Sequence, residues 1–192
     1  ASEDGNPVIY LEHRWLHTTF GHVPEEMYRT PIGQARIARE GKDVTIIATS
    51  FMVIESMRAA EILARDGIEA EVVDVRSIKP LDKDTILAAT RKTGRLVVAD
   101  GAWRTFGVGA EILALAAEEA YTSLKCAPQR ITFPDVPTPT TPALAVEFYP
   151  RAVHIINAAR VTLGLPEQTE AQLGIIHEKQ LDVPDSTFMG PF

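Results

Sequence analysis

The sequence predicts an α/β fold, a three-layer α/β/α domain built on a mostly parallel five-stranded sheet with one antiparallel edge strand. Three observations predict it. Short apolar runs alternate with stretches of helical period, which is the pattern of βα units feeding a parallel sheet. The runs Val44-Thr45-Ile46-Ile47-Ala48, Val72-Val73 and Leu96-Val97-Val98-Ala99 are apolar at almost every position, not at every second one, as strands covered on both faces require. Glycine closes the helical stretches at Gly67, Gly94 and Gly164, where a left-handed residue is wanted.

Taken in order, Val8-Ile9-Tyr10-Leu11 reads as a short buried strand. Residues 12–31, EHRWLHTTFGHVPEEMYRTP, have no clear period and read as a connecting segment. Gln34–Glu40 alternates weakly and reads as the antiparallel edge. Gly41-Lys42-Asp43 is a turn, and the pair Gln34–Glu40 and Val44–Ala48 is expected to form a hairpin. Ser50 is placed to cap a helix in which Val53, Met57, Ala60 and Leu63 share a face. Ala70–Val75 is the next strand. Asp82 caps a helix to about Lys92, and Arg95–Ala99 is a strand. Val108, Ile112, Leu115 and Ala116 mark a helix to about Ser123, and Arg130–Phe133 is the last strand. PDVPTPTTP, residues 134–142, reads as a rigid loop. Pro150 suits the first turn of a final helix carrying Val153, Ile156 and Leu163. Residues 166–192 are polar and read as a tail or arm.

Composition narrows the function. The chain has 192 residues, a net charge of −7 and no stretch rich in Lys and Arg, which argues against a nucleic-acid partner. No apolar run reaches the roughly 20 residues of a membrane-spanning helix. A single cysteine, Cys126, allows no internal disulfide. Together with the lack of a charged-then-apolar leader, these features lead to the expectation of a cytoplasmic or organelle-matrix protein. The opening ASEDGNPVIYLEH resembles a chain cut between elements, so a fragment of a larger architecture is expected.

Gly107-Val108-Gly109, behind a strand and at the start of a helix, invites a dinucleotide reading. The fingerprint needs a third glycine, and Ile112 stands there. It also needs an acid at the end of the next strand, and Asp135 comes after Pro134 at the wrong distance. The expected role of the two glycines is therefore a tight turn into the helix, with an anion at the free helix start as the minor alternative. His13, His17 and His22 fall in a segment containing Gly21 and Pro24, with no helix to align them, so no metal site is expected. His154 is expected to be a partly buried structural residue.

Several stretches together carry a resemblance. PIGQARIAREGKDVTIIATSFMVIESMRAAEIL, GIEAEVVDVRSIKPLDKDTI, KTGRLVVADGAWRTFGVGAEI and PDVPTP resemble the C-terminal domain of the beta subunits of thiamine-diphosphate-dependent 2-oxoacid dehydrogenases, pyruvate and branched-chain types, in the transketolase C-terminal domain superfamily. NPVIYLEHRWLH resembles the last strand of the preceding pyrimidine-binding domain and the exit from it. The resemblance implies three segments: 1–30 as that strand plus linker, 31–165 as the C-terminal domain, and 166–192 as the tail. It implies an oxidoreductase of a multienzyme complex, in which a 2-oxoacid is oxidatively decarboxylated and the acyl group passes to a lipoyl arm. Thiamine diphosphate and magnesium are implied for the assembled enzyme, held by the upstream pyrimidine domain and by an alpha subunit or diphosphate-binding domain. This chain alone is expected to bind no cofactor and to be inactive, contributing a homodimer contact and a surface for the acyltransferase core.

The resemblance also nominates residues. His13 and Arg14 follow the first strand and are expected at the substrate channel, because related transketolases place an Arg at about the position of His13. Independently of the resemblance, Trp103 and Phe106 flank the entry to the helix after Gly107, and such an aromatic pair is expected either to fill an interface pocket or to pack over the end of the sheet. The family often carries an acid at the position of Cys126, where it helps dock the acyltransferase, and the cysteine here is a departure. Two further readings stay open: a transketolase-like enzyme fragment, and a non-catalytic dimerisation or docking module.

Overall fold

A computed structural model describes residues 5–13 and 22–176. It forms one five-stranded sheet in the order β1-β3-β2-β4-β5. The strands are β1 (Arg36–Arg39), β2 (Val44–Ala48), β3 (Ala70–Asp74), β4 (Leu96–Trp103) and β5 (Gln129–Phe133). The helices are α1 (Met52–Arg65), α2 (Lys83–Thr93), α3 (Val108–Glu119), α4 (Pro142–Phe148), α5 (Ala152–Thr162) and α6 (Glu170–Leu173). Pairing is parallel for β2 with β3, β2 with β4, and β4 with β5, and antiparallel for β1 with β3.

Alternation along each strand divides the core into two layers. Val44, Ile46 and Ala48 of β2, with Val72 and Val97, pack against α1 and α5 through Met52, Leu63, Ile155 and Ile156. Ile47, with Val73, Leu96 and Val98, packs on the other face against α2 and α3 through Ile86, Leu87, Ile112 and Leu115. Thr45 is the polar exception in β2. Its hydroxyl donates to the carbonyl of Ala89 at 2.9 Å and meets Thr93 Oγ1 at 2.9 Å, which ties α2 to the sheet.

Six details differ from the sequence reading. Residues 8–11 form no strand, and Val8, Ile9, Tyr10 and Leu11 are all exposed: nothing in the described chain covers their apolar surface. The expected hairpin is absent, because β1 skips its neighbour β2 and pairs with β3. Gly41 permits this by running tightly over the start of β3, where a Cβ would lie 2.2 Å from the carbonyl carbon of Ala70. Ser50 does not cap α1. It takes φ 49°, and Phe51 stands at the N-cap with no side-chain cap bond. Pro150 lies before α5, whose N-cap is Arg151. The stretch read as a loop to residue 142 ends in α4, with Pro142 in its first turn, where proline's missing N–H costs nothing. The polar stretch after Leu165 also holds α6, capped by the hydroxyl of Thr169, which accepts from the Gln172 N–H at 3.3 Å.

Candidate functional site

In an open parallel sheet the binding crevice forms at the carboxyl ends of the strands, where the strand order reverses. Here the chain leaves β2 toward β3 and returns to the other side of β2 as β4. The reversal lies between β2 and β4, with α1 on one face and α3 on the other.

The two strand ends are pinned together. Thr49, just past β2, donates its N–H to the Ala99 carbonyl at 3.2 Å and its hydroxyl to Asp100 Oδ1 at 2.8 Å. Asp100 Oδ2 accepts the Gly109 N–H in the first turn of α3 at 2.9 Å. The carboxylate is 3% exposed. It fills the helix start that the sequence left open to an external anion, and it does so with the charge that the helix dipole favours. Gly107 lets the chain come this close: a Cβ there would sit 2.5 Å from the Trp103 carbonyl oxygen and 3.2 Å from Asp100 Oδ2.

The same edge carries every positive-φ residue other than glycine among the described residues: Ser50 after β2, Arg76 after β3 and Phe106 after β4. Such conformations persist only where surrounding contacts impose them, and they cluster at binding sites. Aromatic rings fill the edge from α1 toward β5. The His13 ring centroid lies 4.6 Å from that of Phe51, Phe51 lies 6.2 Å from Phe133, and Phe133 lies 5.0 Å from Phe148. Tyr149 meets Phe133 and Phe148 edge-on at 5.8 and 5.0 Å. Burial holds the His13 imidazole below its ordinary pKa of 6.5, so the neutral ring is the form that stacks here. After β4 and β5, Asp135 accepts both the hydroxyl and the N–H of Thr105, at 2.6 and 2.9 Å. These bonds, with the nearby Arg130 charge, keep its carboxyl below the usual range.

The sequence candidates divide between the two ends of the sheet. His13, Trp103 and Phe106 belong to the carboxyl edge. Trp103 is 57% and Phe106 is 98% exposed, an unusual exposure for large apolar rings beside a crevice. Cys126 lies before β5, at the amino end of the sheet, free and half-buried. Its neighbour Lys125 is anchored there by a 2.7 Å bond to the Thr93 carbonyl. Arg14 and His17 fall outside the described residues. His22 is exposed, and so is His154, against expectation. His154 takes part in the cap of α5, its Nδ1 accepting the Arg151 N–H at 3.0 Å. Among the described residues no group of three His, Cys, Asp or Glu converges as metal ligands would. The Thr49–Asp100 link and the Thr105–Asp135 pair were not anticipated. The sequence signal for the first is a polar residue directly after each apolar run, Thr49 after Ala48 and Asp100 after Ala99; Thr105 and Asp135 each lie two residues beyond the end of their strands and carry no such signal.

The model of the transketolase C-terminal domain matches residues 33–155. The beta subunit of an acetoin:2,6-dichlorophenolindophenol oxidoreductase from Cupriavidus necator is 42% identical over 163 residues, 85% of this chain and 48% of that protein. The pyruvate dehydrogenase E1 component subunit beta of Staphylococcus epidermidis is 43% identical over 162 residues, 84% of this chain and 50% of that protein. Among solved structures, a split-gene transketolase described as an inactive beta4 tetramer superposes with a TM-score of 0.63. It is 31% identical, over 76% of this chain and 48% of its own. The chain thus spans about half the length of the relatives it matches.

Proposed function

The chain belongs to the transketolase C-terminal domain family, and from that premise we propose that it is the C-terminal, subunit-interface and partner-docking part of a thiamine-diphosphate-dependent 2-oxoacid dehydrogenase beta subunit. The observation that carries this reading is the 43% identity to a pyruvate dehydrogenase beta subunit, sustained over 84% of the chain. The complete enzyme would decarboxylate a 2-oxoacid oxidatively and pass the acyl group to a lipoyl arm. A transketolase-like enzyme is the second reading, supported by the 0.63 superposition but at the lower identity of 31%.

The residues described here do not fit thiamine diphosphate and magnesium as a site of their own. The α3 start is taken by Asp100, and no metal-ligand cluster is found among the described residues. In this proposal the cofactor and its metal are held by a pyrimidine domain and by an alpha subunit or diphosphate-binding domain. The contribution of this chain is to present a shaped edge to them. His13, neutral and backed by Phe51, offers a hydrogen-bonding ring to the substrate channel without adding a charge, and Arg14 follows it. Trp103 and Phe106 supply apolar surface for a subunit contact, since aromatic residues are enriched in the dry centres of interfaces. The segment around Cys126, at the other end of the sheet, would serve acyltransferase docking without the acid that the family often carries there.

The test is a complete beta subunit carrying His13→Ala, assembled with its alpha partner. The substitution is expected to lower kcat/KM for the 2-oxoacid about ten-fold, roughly 1.4 kcal/mol of transition-state binding, while assembly is unchanged. Undiminished kcat/KM would remove His13 from the channel. A thiamine diphosphate titration of the 192-residue chain is expected to give no binding heat, and a saturable heat would overturn the assignment of the cofactor to other domains.

A further inference from the structure

Beside β5 lies an open pocket of about 290 Å³, between that strand and the segment joining α4 to α5. Its size is at the lower end of small-molecule sites. Arg104, Arg130, Glu147 and His154 bring polar groups to it, and Phe133 and Phe148 form an apolar wall. The charge pattern is unbalanced, with two guanidinium groups against one carboxylate, on a chain whose net charge is −7.

Neither guanidinium has a salt-bridge partner among the described residues. Arg39, Arg58, Arg76, Arg151 and Arg160 each have one; Arg36, Arg65, Arg91 and Arg95 also lack one among the described residues, but none of these lines the pocket. Arg130 Nε is buried without a hydrogen-bond partner, and so is the hydroxyl of Thr132, which also lines the pocket. The Cδ of Arg130 lies 3.5 Å from where a Gly109 Cβ would stand, against α3, and the Asp135 carboxylate is near enough to feel its charge without forming a salt bridge with it. A preset, unpaired guanidinium is suited to an oxyanion, which it binds by charge-assisted hydrogen bonds. His154 adds a donor. Its Nδ1 accepts the Arg151 N–H, so the proton of the neutral ring sits on Nε2.

We propose that this pocket binds a small organic anion, its oxyanion head held by Arg104, Arg130 and His154 and its apolar body lying against Phe133 and Phe148. The proposal does not depend on the enzyme reading, because it rests on the charge and shape of the pocket alone. Benzoate and its neutral isostere benzamide are suitable probes. Titration of the complete chain, followed by methyl NMR at Ile131 and Thr132 and by calorimetry, is expected to show saturable benzoate binding and binding of benzamide at least about ten-fold weaker. Inorganic phosphate is expected to compete for the head site. Arg104→Met, at an exposed position, and Arg130→Met are each expected to weaken benzoate about ten-fold without changing the fold by circular dichroism. Where Arg130→Met fails to fold, Arg104→Met and the wild-type methyl shifts decide. Equal affinity for benzamide, no saturable shift at Ile131 and Thr132, or benzoate binding indifferent to Arg104→Met would each overturn the proposal.

Discussion

Asp100 ties β2 to α3 at the carboxyl edge. It is buried, and its two oxygens join β2, through the Thr49 hydroxyl, to the first turn of α3, through the Gly109 N–H. Asp100→Ala leaves a buried hydroxyl and a buried N–H unsatisfied and removes a charge matched to the helix dipole. The expected loss is about 2–4 kcal/mol in urea unfolding. Thr49→Val, which deletes only one of the two bonds, is expected to cost about 1 kcal/mol. Equal losses for the two variants would show that the α3 contact contributes nothing. Gly107→Ala tests the close approach that brings the helix to this carboxylate. With the Trp103 carbonyl oxygen 2.5 Å from the new methyl, the loop must shift at a cost of about 1–3 kcal/mol. The shift would also loosen Gly109, read as faster amide exchange there. None of this is visible in the GVG stretch itself, because the sequence shows a permissive residue and not which backbone atom approaches it.

At the scale of elements, the continuous apolar runs identified β2, β3 and β4 because both of their faces are covered, and pattern alone reports that. The strand partner of β1 was not legible. A short turn at Gly41 suggests a hairpin, whereas β3, which comes later in the chain, occupies the place beside β2. Helix α4 was missed for a different reason: at seven residues it is too short to display a period, and it begins at a proline in a proline-rich stretch. Asp82 is the element-scale device that sequence identified correctly. Its carboxylate caps α2 through the Thr85 N–H at 3.1 Å, and it also accepts the Ala35 N–H at 2.9 Å, so it fixes the approach to β1 as well. Burial pushes its carboxyl up, but the bonds from Ala35 and Thr85 outweigh burial and leave the folded pKa below the ordinary 3.8. A carboxyl depressed in the folded state contributes stability above its unfolded pKa and loses it as pH falls through the folded one. Asp82→Ala is therefore expected to cost about 1–2 kcal/mol at pH 7. The gap from wild type should narrow steadily below about pH 4. A gap that stays constant down to pH 2 would show that the bonds do not depend on the charge.

At the scale of the whole molecule, the apolar surface is distributed unevenly. The two core layers are closed, with Ile46, Ile47, Leu96, Ile112, Ile155 and Ile156 fully buried. The carboxyl edge, by contrast, shows Trp103, Phe106 and Ile78 to solvent, and the segment from Val8 to Leu11 is exposed throughout. An isolated exposed Leu needs no explanation, but four consecutive apolar residues followed by a ring seated on Phe51 do. The sequence read residues 8–11 as a buried strand because their composition is that of one. The composition describes an environment that the described residues do not provide, and the relatives, twice as long as the matched segment, are where such an environment would be found. If residues 8–11 are the last strand of a preceding pyrimidine-binding domain, their backbone amides must be bonded in a sheet once that domain is present. Hydrogen exchange should then show residues 8–11 unprotected in the 192-residue chain and protected by at least about a hundred-fold in the complete subunit, because sheet amides exchange only through opening. The amides of β2 and β4 should be protected equally in both, since their partners lie within this domain. Fast exchange at residues 8–11 in the complete subunit would end the preceding domain before Val8 and make that segment a linker. Slow exchange in the short chain would mean that a second copy covers it, which a dependence of the protection on protein concentration would reveal.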